Sequence, residues 1–171
     1  MLIFSGKKGR TNREQIEEII LEKYNQYYRL AYSYVHNEAD AGDIVQNGAY
    51  KALRSCDTLK NPEYAETWVY RIMLNETFSF LKQSKVLSYD ALCEEQGKEG
   101  EAREDVYENV DLKKALDALP MRDKAIIIMK YFEDKKLEEI ADILDDNVST
   151  IKSRLYRSMK KLRVMLSDEQ L

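Results

Sequence analysis

The sequence has few residues that interrupt helices, with two prolines and six glycines among 171 residues. No long stretch alternates apolar and polar residues, which is the pattern of a half-buried strand. The apolar fraction of 44% is high enough to form packed cores. The sequence therefore predicts an all-α protein of one large or two small domains.

Residues that bind metals or act as nucleophiles are also scarce. Cys56 and Cys93 lie far apart without metal-ligand spacing, so they are interpreted as free thiols, and the single histidine, His36, is predicted to be structural. No nucleophile motif or phosphate-binding glycine loop occurs in the sequence. We therefore predict no catalytic activity, no metal site and no cofactor.

Long apolar runs are missing as well. The sequence has no stretch long enough to span a membrane, and Leu2-Ile3-Phe4 is too short for the core of a signal peptide. We expect a soluble cytoplasmic protein. Its net charge of −4 is unusual for a protein that binds DNA alone. It suits a protein that reaches DNA within an assembly and docks its acidic half on a basic partner.

The strongest pattern lies in residues 137–163, LEEIADILDDNVSTIKSRLYRSMKKLR. A short acidic helix is followed by Asp145, Asp146 and Asn147, which predict a turn with Asn147 as the N-cap of a second helix. That second helix has apolar residues every three or four positions and a basic outer face. Ala141 is small enough for the two helices to cross closely, so the pattern predicts a helix-turn-helix. Asp145 stands where glycine is usual, and Asp146 where an apolar residue is usual.

The first turns of such a second helix enter the major groove of DNA. The candidates for contacts to base edges share one side of the helix, and those for contacts to phosphates lie nearer its rim. The base-edge candidates are Lys152, Ser153 and Tyr156, the phosphate candidates are Arg154, Arg157 and Lys160, and Thr150 joins them at the helix start. The alternative is an amphipathic C-terminal helix whose basic face is merely solvated.

Helix starts are marked along the rest of the chain. Thr11 and Glu14 form a capping-box pattern, Asn37 precedes a helix over 38–54, and Asn61-Pro62 precedes one near 63–84. That third helix carries the apolar residues Trp68, Ile72, Phe78 and Leu81. The next stretch, residues 86–110, is rich in acidic residues and contains two glycines, which predicts a flexible linker. The predicted organisation is a helical domain over 11–85, an acidic linker over 86–110 and a helix-turn-helix domain over 111–171.

Three segments resemble motifs of bacterial RNA polymerase sigma factors. DAGDIVQ at 40–46, with Lys51-Ala52 after it, resembles D-A-E-D-L-V-Q, and WVYRIMLN at 68–75 resembles W-L-Y-R-I-x-x-N. Ile140-Ala141 and TIKSRLYR at 150–157 resemble the I-A and T-V-K-S-R-L-x-R of the last helix pair. In this order, with an acidic linker between them, they make the chain similar to a two-domain sigma factor of the extracytoplasmic-function (ECF) class, without an extra N-terminal domain.

The resemblance implies a role for each motif. The first would bind the clamp helices of core RNA polymerase through Asp40, Asp43, Ile44, Val45 and Gln46. The second would hold the melted minus-ten strand through Trp68, Arg71, Asn75, Lys82 and Lys85. The last helix would bind the minus-thirty-five element, and the linker would pass through the polymerase toward the RNA exit path. The implied partners are core RNA polymerase, promoter DNA and an anti-sigma protein, commonly associated with the membrane, and no small-molecule substrate.

The residues alone leave other interpretations open. Trp68 favours a core position over base stacking, Asp43 and Gln46 suit a solvated face, and Arg71 suits an ion pair with a neighbouring helix. The chain as a whole also suits a stand-alone helix-turn-helix regulator, which would bind DNA without core polymerase. A helical interaction module without DNA binding is the third class, and the basic last helix argues against it.

Overall fold

The computed structural model describes residues 9–91 and 110–168, and in these ranges the regular structure is helical throughout. Residues 1–8, 92–109 and 169–171 lie outside the described residues, and these include Cys93 and most of the predicted linker. Contacts divide the chain into two compact units between Thr77 and Phe78, within the third helix. The predicted domain boundaries at 85 and 110 stay a prediction. None of the described helices is long and apolar enough to cross a membrane.

The first helix, α1, spans Asn12–Val35 and begins with the predicted capping box. The hydroxyl of Thr11 accepts from the N–H of Glu14 at 3.2 Å, and the Glu14 carboxylate accepts from the N–H of Thr11 at 3.1 Å. The helix ends at His36, whose left-handed backbone lets its N–H donate to the carbonyl of Tyr32 at 2.8 Å. The backbone of His36 therefore caps α1, and a structural role for its side chain stays a prediction.

The second helix, α2, spans Glu38–Arg54, the predicted range, and the Asn37 side chain caps it by accepting from the N–H of Asp40. Two short 3-10 turns, Cys56–Thr58 and Pro62–Tyr64, lead into α3, which spans Ala65–Ala91. The first six residues of the predicted linker, 86–91, are therefore helical. Residues 86–91 contain neither glycine nor proline, so nothing in the sequence ends the helix at the predicted boundary.

The apolar residues singled out along α3 are not its most buried ones. Trp68, Ile72, Phe78 and Leu81 are half-buried. Almost every residue from 68 to 74 is apolar, so periodicity alone did not determine which side turns inward. The buried side consists of Val69, Tyr70, Met73, Leu74 and Thr77.

Polar contacts tie α3 to both other helices of the N-terminal unit. Lys23 of α1 pairs with Glu66 at 3.0 Å, and Lys51 of α2 pairs with Glu76. The rings of Tyr27 and Tyr70 pack edge to face with centroids 6.0 Å apart. These contacts fix the outer faces of α2 and α3, on which the candidate interfaces lie.

Gly48 and Gly42 of α2 offer a matched test of this packing. A Cβ at Gly48 would collide with the Sδ of buried Met73, whereas nothing lies within 4 Å of a Cβ at Gly42. Gly42→Ala should stabilise the protein by about 0.5–1 kcal/mol through helix propensity alone. Gly48→Ala should destabilise it, because overpacking costs about 1–3 kcal/mol and exceeds that gain. Thermal melts followed by circular dichroism should shift in opposite directions, and a stabilised Gly48→Ala variant would contradict the close approach.

Residues 110–168, the part of the C-terminal unit described after α3, contain four helices. They are α4 over Val110–Asp117, α5 over Met121–Ile127, α6 over Leu137–Leu144 and α7 over Val148–Asp168, and a π-helical turn, Ile128–Phe132, extends α5. One hydrophobic cluster joins residues of α4, α5 and α7 with the connection before α5. It contains Ala115, Leu116, Leu119, Ile127 and Leu162.

Among the described residues of these four helices, a charged side chain is buried. Lys124 is buried and its ammonium donates to the Asp117 carboxylate at 2.6 Å. Burial lowers the pKa of Lys124, and the contact with Asp117 opposes that shift. Asp117 belongs to α4 and Lys124 to α5, so the pair joins the two helices. Losing Asp117 would leave a buried cation without its carboxylate partner, which destabilises a fold.

Candidate nucleic-acid and polymerase interfaces

The turn between α6 and α7 has the geometry of a helix-turn-helix. Asp145 adopts a left-handed backbone with φ 55°, a conformation that Asp tolerates better than most non-glycine residues. The N–H of Asp146 donates to the carbonyl of Ala141 at 3.0 Å, and the Asn147 side chain accepts from the N–H of Thr150 at 2.8 Å. The predicted turn and its Asn147 cap are confirmed. Asp146, where an apolar residue is usual, pairs with Arg122 of α5 at 3.0 Å.

The exposed face of α7 carries most of the predicted DNA contacts. The buried seam of the helix contains Ile151, Ser158 and Leu162. Since successive residues turn by about 100°, Ser153 and Lys160 lie opposite this seam. Of the predicted residues, Lys152, Ser153, Tyr156, Arg157 and Lys160 are exposed, and Thr150 and Arg154 are half-buried.

Arg154 is placed differently from its prediction as a phosphate contact. Its Nη1 donates to Oδ1 of Asp123 in α5 at 3.0 Å. Its guanidinium therefore lies on the flank of α7 that faces α5, away from the middle of the exposed face. An acidic partner 31 residues earlier in the chain cannot be found from helical spacing.

The outer face of α2 contains part of the predicted polymerase-binding set. Asp43 and Gln46 are exposed, and Asp40 is half-buried. Ile44 and Val45 are each only 1% exposed, so their side chains are buried here and their predicted contact with polymerase stays a prediction. They lie on the opposite side of the helix, where they anchor α2 in the core of the N-terminal unit.

Tyr50 belongs to the same outer face but is absent from the sequence prediction. It follows Asp43 by seven residues and Gln46 by four, which puts all three on one side of the helix. Its side chain is 63% exposed. Tyrosine is enriched among the residues that dominate protein interfaces. We define the α2 outer face as Asp43, Gln46 and Tyr50.

The predicted minus-ten residues share one side of α3. Their helical positions fall within about 100° of one another, opposite the buried side of the helix. Asn75, Lys82 and Lys85 are exposed, and Trp68 and Arg71 are half-buried. Trp68 is therefore neither fully in the core nor fully accessible. We define the α3 outer face as Trp68, Arg71, Asn75, Lys82 and Lys85.

Two family models match separate parts of this chain. The model of Sigma-70 region 2 matches residues 19–86, and that of Sigma-70, region 4, matches residues 109–162. RNA polymerase sigma factor SigV of Bacillus subtilis (strain 168) is 45% identical over 166 residues, which cover 96% of this chain and 99% of that protein. ECF RNA polymerase sigma factor SigW of the same organism is 28% identical over 177 residues, covering 95% and 93%.

Solved structures show the same fold. Sigma factor RpoE in complex with the anti-sigma factor NepR, from Bartonella quintana, has a TM-score of 0.69 and 24% identity, covering 90% of this chain and 98% of that one. CnrH in complex with the cytosolic domain of CnrY has a TM-score of 0.66 and 17% identity, covering 93% and 99%. Both family models and a relative matched along nearly its whole length therefore show that this chain belongs to the sigma-70 family, as a sigma factor of the ECF class.

Proposed function

We propose that the chain binds core RNA polymerase and directs transcription initiation at promoters with a minus-ten and a minus-thirty-five element. The observation that carries this proposal is the match to both Sigma-70 region 2 and region 4 in one chain, together with the helix-turn-helix geometry of α6 and α7. A stand-alone regulator is not favoured, because a DNA-binding unit alone does not account for the region 2 match.

The two DNA-binding roles belong to different faces. The α3 outer face combines exposed cations, an amide and a half-buried indole, a composition suited to an unpaired strand with splayed bases. The exposed face of α7 follows a helix-turn-helix turn and suits duplex DNA in the major groove. We therefore assign the melted minus-ten strand to α3 and the minus-thirty-five duplex to α7.

Two further features follow from this role. A sigma factor acts where the polymerase is, so we place the protein in the cytoplasm as a non-enzymatic initiation factor. The solved structure of RpoE contains the anti-sigma factor NepR, and that of CnrH contains the cytosolic domain of CnrY. We propose that an anti-sigma protein also holds this chain inactive, and co-purification from uninduced cells would test that partner.

The direct test of the polymerase role is association with core. The purified chain should co-elute with core polymerase in gel filtration and be displaced by an excess of another sigma factor, since both would occupy the same docking site. Failure to co-elute at micromolar concentrations would contradict the proposal. Simultaneous binding of both factors would place the chain elsewhere on the polymerase.

Asn75→Ala tests the assignment of α3 to the melted strand. Loss of a hydrogen bond to an unstacked base should reduce open-complex formation by about two- to tenfold. Duplex binding in the closed complex should stay unchanged, since α7 is intact. Permanganate reactivity of minus-ten thymines measures melting, and Gln83→Ala, an exposed amide off this face, is the control. Normal melting with weaker closed-complex binding would invert the proposed roles.

A further inference from the structure

Two adjacent residues in the first turn of α5 contact both helices of the helix-turn-helix. Arg122 donates through Nη2 to the carbonyl of Leu144 at 2.7 Å and to Oδ2 of Asp146 at 3.0 Å. The Leu144 carbonyl is at the C-terminal end of α6, where carbonyls have no partner within their own helix. Arg122 therefore holds the end of α6 and the turn that follows it.

Asp123 holds the next helix. Its carboxylate accepts from Arg154 of α7 at 3.0 Å, and its side chain is 16% exposed against 31% for Arg154. An ion pair that is shielded to this extent is screened less by salt than an exposed pair. It also holds the guanidinium on the α5 side of α7. Arg122 and Asp123 together thus join α5 to the end of α6, the turn and the second turn of α7.

We propose that Arg122 and Asp123 are positioning residues for DNA recognition, and that Arg154 acts through Asp123 rather than through a phosphate. The inference rests on the proposed function, since it takes α7 as the helix that binds the minus-thirty-five element. Base contacts depend on the orientation of the helix in the groove, because hydrogen bonds weaken steeply when distance or angle departs from the optimum. The pair at α5 sets that orientation from outside the DNA-contacting face.

The two roles of Arg154 predict opposite effects for Asp123→Ala. If Arg154 binds a phosphate, removing Asp123 frees the cation, removes an acid near DNA and leaves affinity unchanged or higher. If Arg154 positions α7, removing either partner breaks the same contact, so both alanine variants weaken binding. The double variant should then be no weaker than either single one, as expected for residues that act as one unit.

The experiment uses holoenzyme assembled from the full chain and core polymerase. Its probe is the duplex that wild-type holoenzyme selects from a randomised minus-thirty-five library, beside the same duplex with that element scrambled. Affinity is measured as a function of salt for Arg154→Ala, Asp123→Ala, the double variant and Asp123→Asn. Lys160→Ala is the phosphate control, and a phosphate contact should contribute about one to the salt slope.

We expect Arg154→Ala and Asp123→Ala each to weaken binding to the selected duplex by about three- to tenfold. Both should lower the ratio of selected to scrambled binding and leave the salt slope unchanged. Asp123→Asn keeps an oxygen acceptor and the side-chain volume, so it should recover part of the loss. It also keeps the test valid if the alanine variant unfolds.

A lower salt slope in Arg154→Ala, with unchanged or tighter binding in Asp123→Ala, would overturn the positioning role while Lys160→Ala still supports α7 as the DNA-binding helix. An unchanged slope in Lys160→Ala would instead overturn the assignment of α7 to DNA, and the positioning role with it. Retained co-elution of each variant with core polymerase shows that the N-terminal unit is intact in every comparison.

Discussion

Replacing Asp43 and Gln46 by alanine is expected to weaken binding to core polymerase by about 2 kcal/mol, roughly thirtyfold. Both side chains are exposed on the α2 outer face, and a carboxylate that bonds a basic partner makes a charge-assisted contact. Their removal leaves the buried side of α2 untouched, so the melting temperature should not fall. Affinity is measured by fluorescence titration of the labelled chain with core polymerase.

Tyr50→Ala extends the same test to the residue that spacing alone did not single out. As a 63% exposed aromatic on the same face, Tyr50 should contribute an effect of similar size. The control is Glu22→Ala with Asn25→Ala, which removes an acid and an amide from the exposed surface of α1. If the Asp43–Gln46 variant and the α1 control bind core equally well, the α2 outer face is not the docking surface.

Lys152→Ala and Lys160→Ala are expected to change promoter use in two different ways. Lys152 is exposed in the second turn of α7, and a lysine contact to a guanine edge supplies about 1–3 kcal/mol of discrimination. Its loss should relax the preference at one position of the minus-thirty-five element. Lys160, one turn beyond Tyr156, should contact a phosphate, so its loss should weaken all sequences alike.

A randomised minus-thirty-five library transcribed by each holoenzyme separates these outcomes. The transcript level from each sequence is divided by the mean level of the library. This relative level should depend differently on the base at one position for Lys152→Ala, and at no position for Lys160→Ala. Uniform scaling of every sequence by Lys152→Ala would remove Lys152 from the base-contacting set. Exposed Lys113 of α4, outside the helix-turn-helix, provides the lysine-to-alanine control.

Local patterns predicted the helix starts and the turn, because those depend on residues close in the chain. The capping box at Thr11, the cap at Asn37 and the turn before Asn147 all formed as expected. Each needs only a side-chain oxygen within two or three residues of an unsatisfied N–H. The bounds of α2 followed from such signals at its start and a polar stretch after it.

Features set by tertiary contacts did not follow from the sequence. Asp43 and Gln46 of the DAGDIVQ motif are exposed and its Ile44 and Val45 are buried, so a motif match alone did not separate outward-facing residues from inward-facing ones. The contact of Arg154 with Asp123 depends on how α5 packs against α7, which periodicity along either helix does not specify. The inner side of α3 was ambiguous because apolar residues surround most of that helix.

Mapping transcription start sites on genomic DNA in vitro tests the central claim most directly. Core polymerase with this chain should start at a defined set of sites that share a minus-ten and a minus-thirty-five element, whereas core alone should start without such selection. Without polymerase, the chain should not bind DNA of those promoters at physiological salt. Promoter retention by the chain without polymerase, together with unchanged start sites in its presence, would contradict the account and favour a stand-alone regulator.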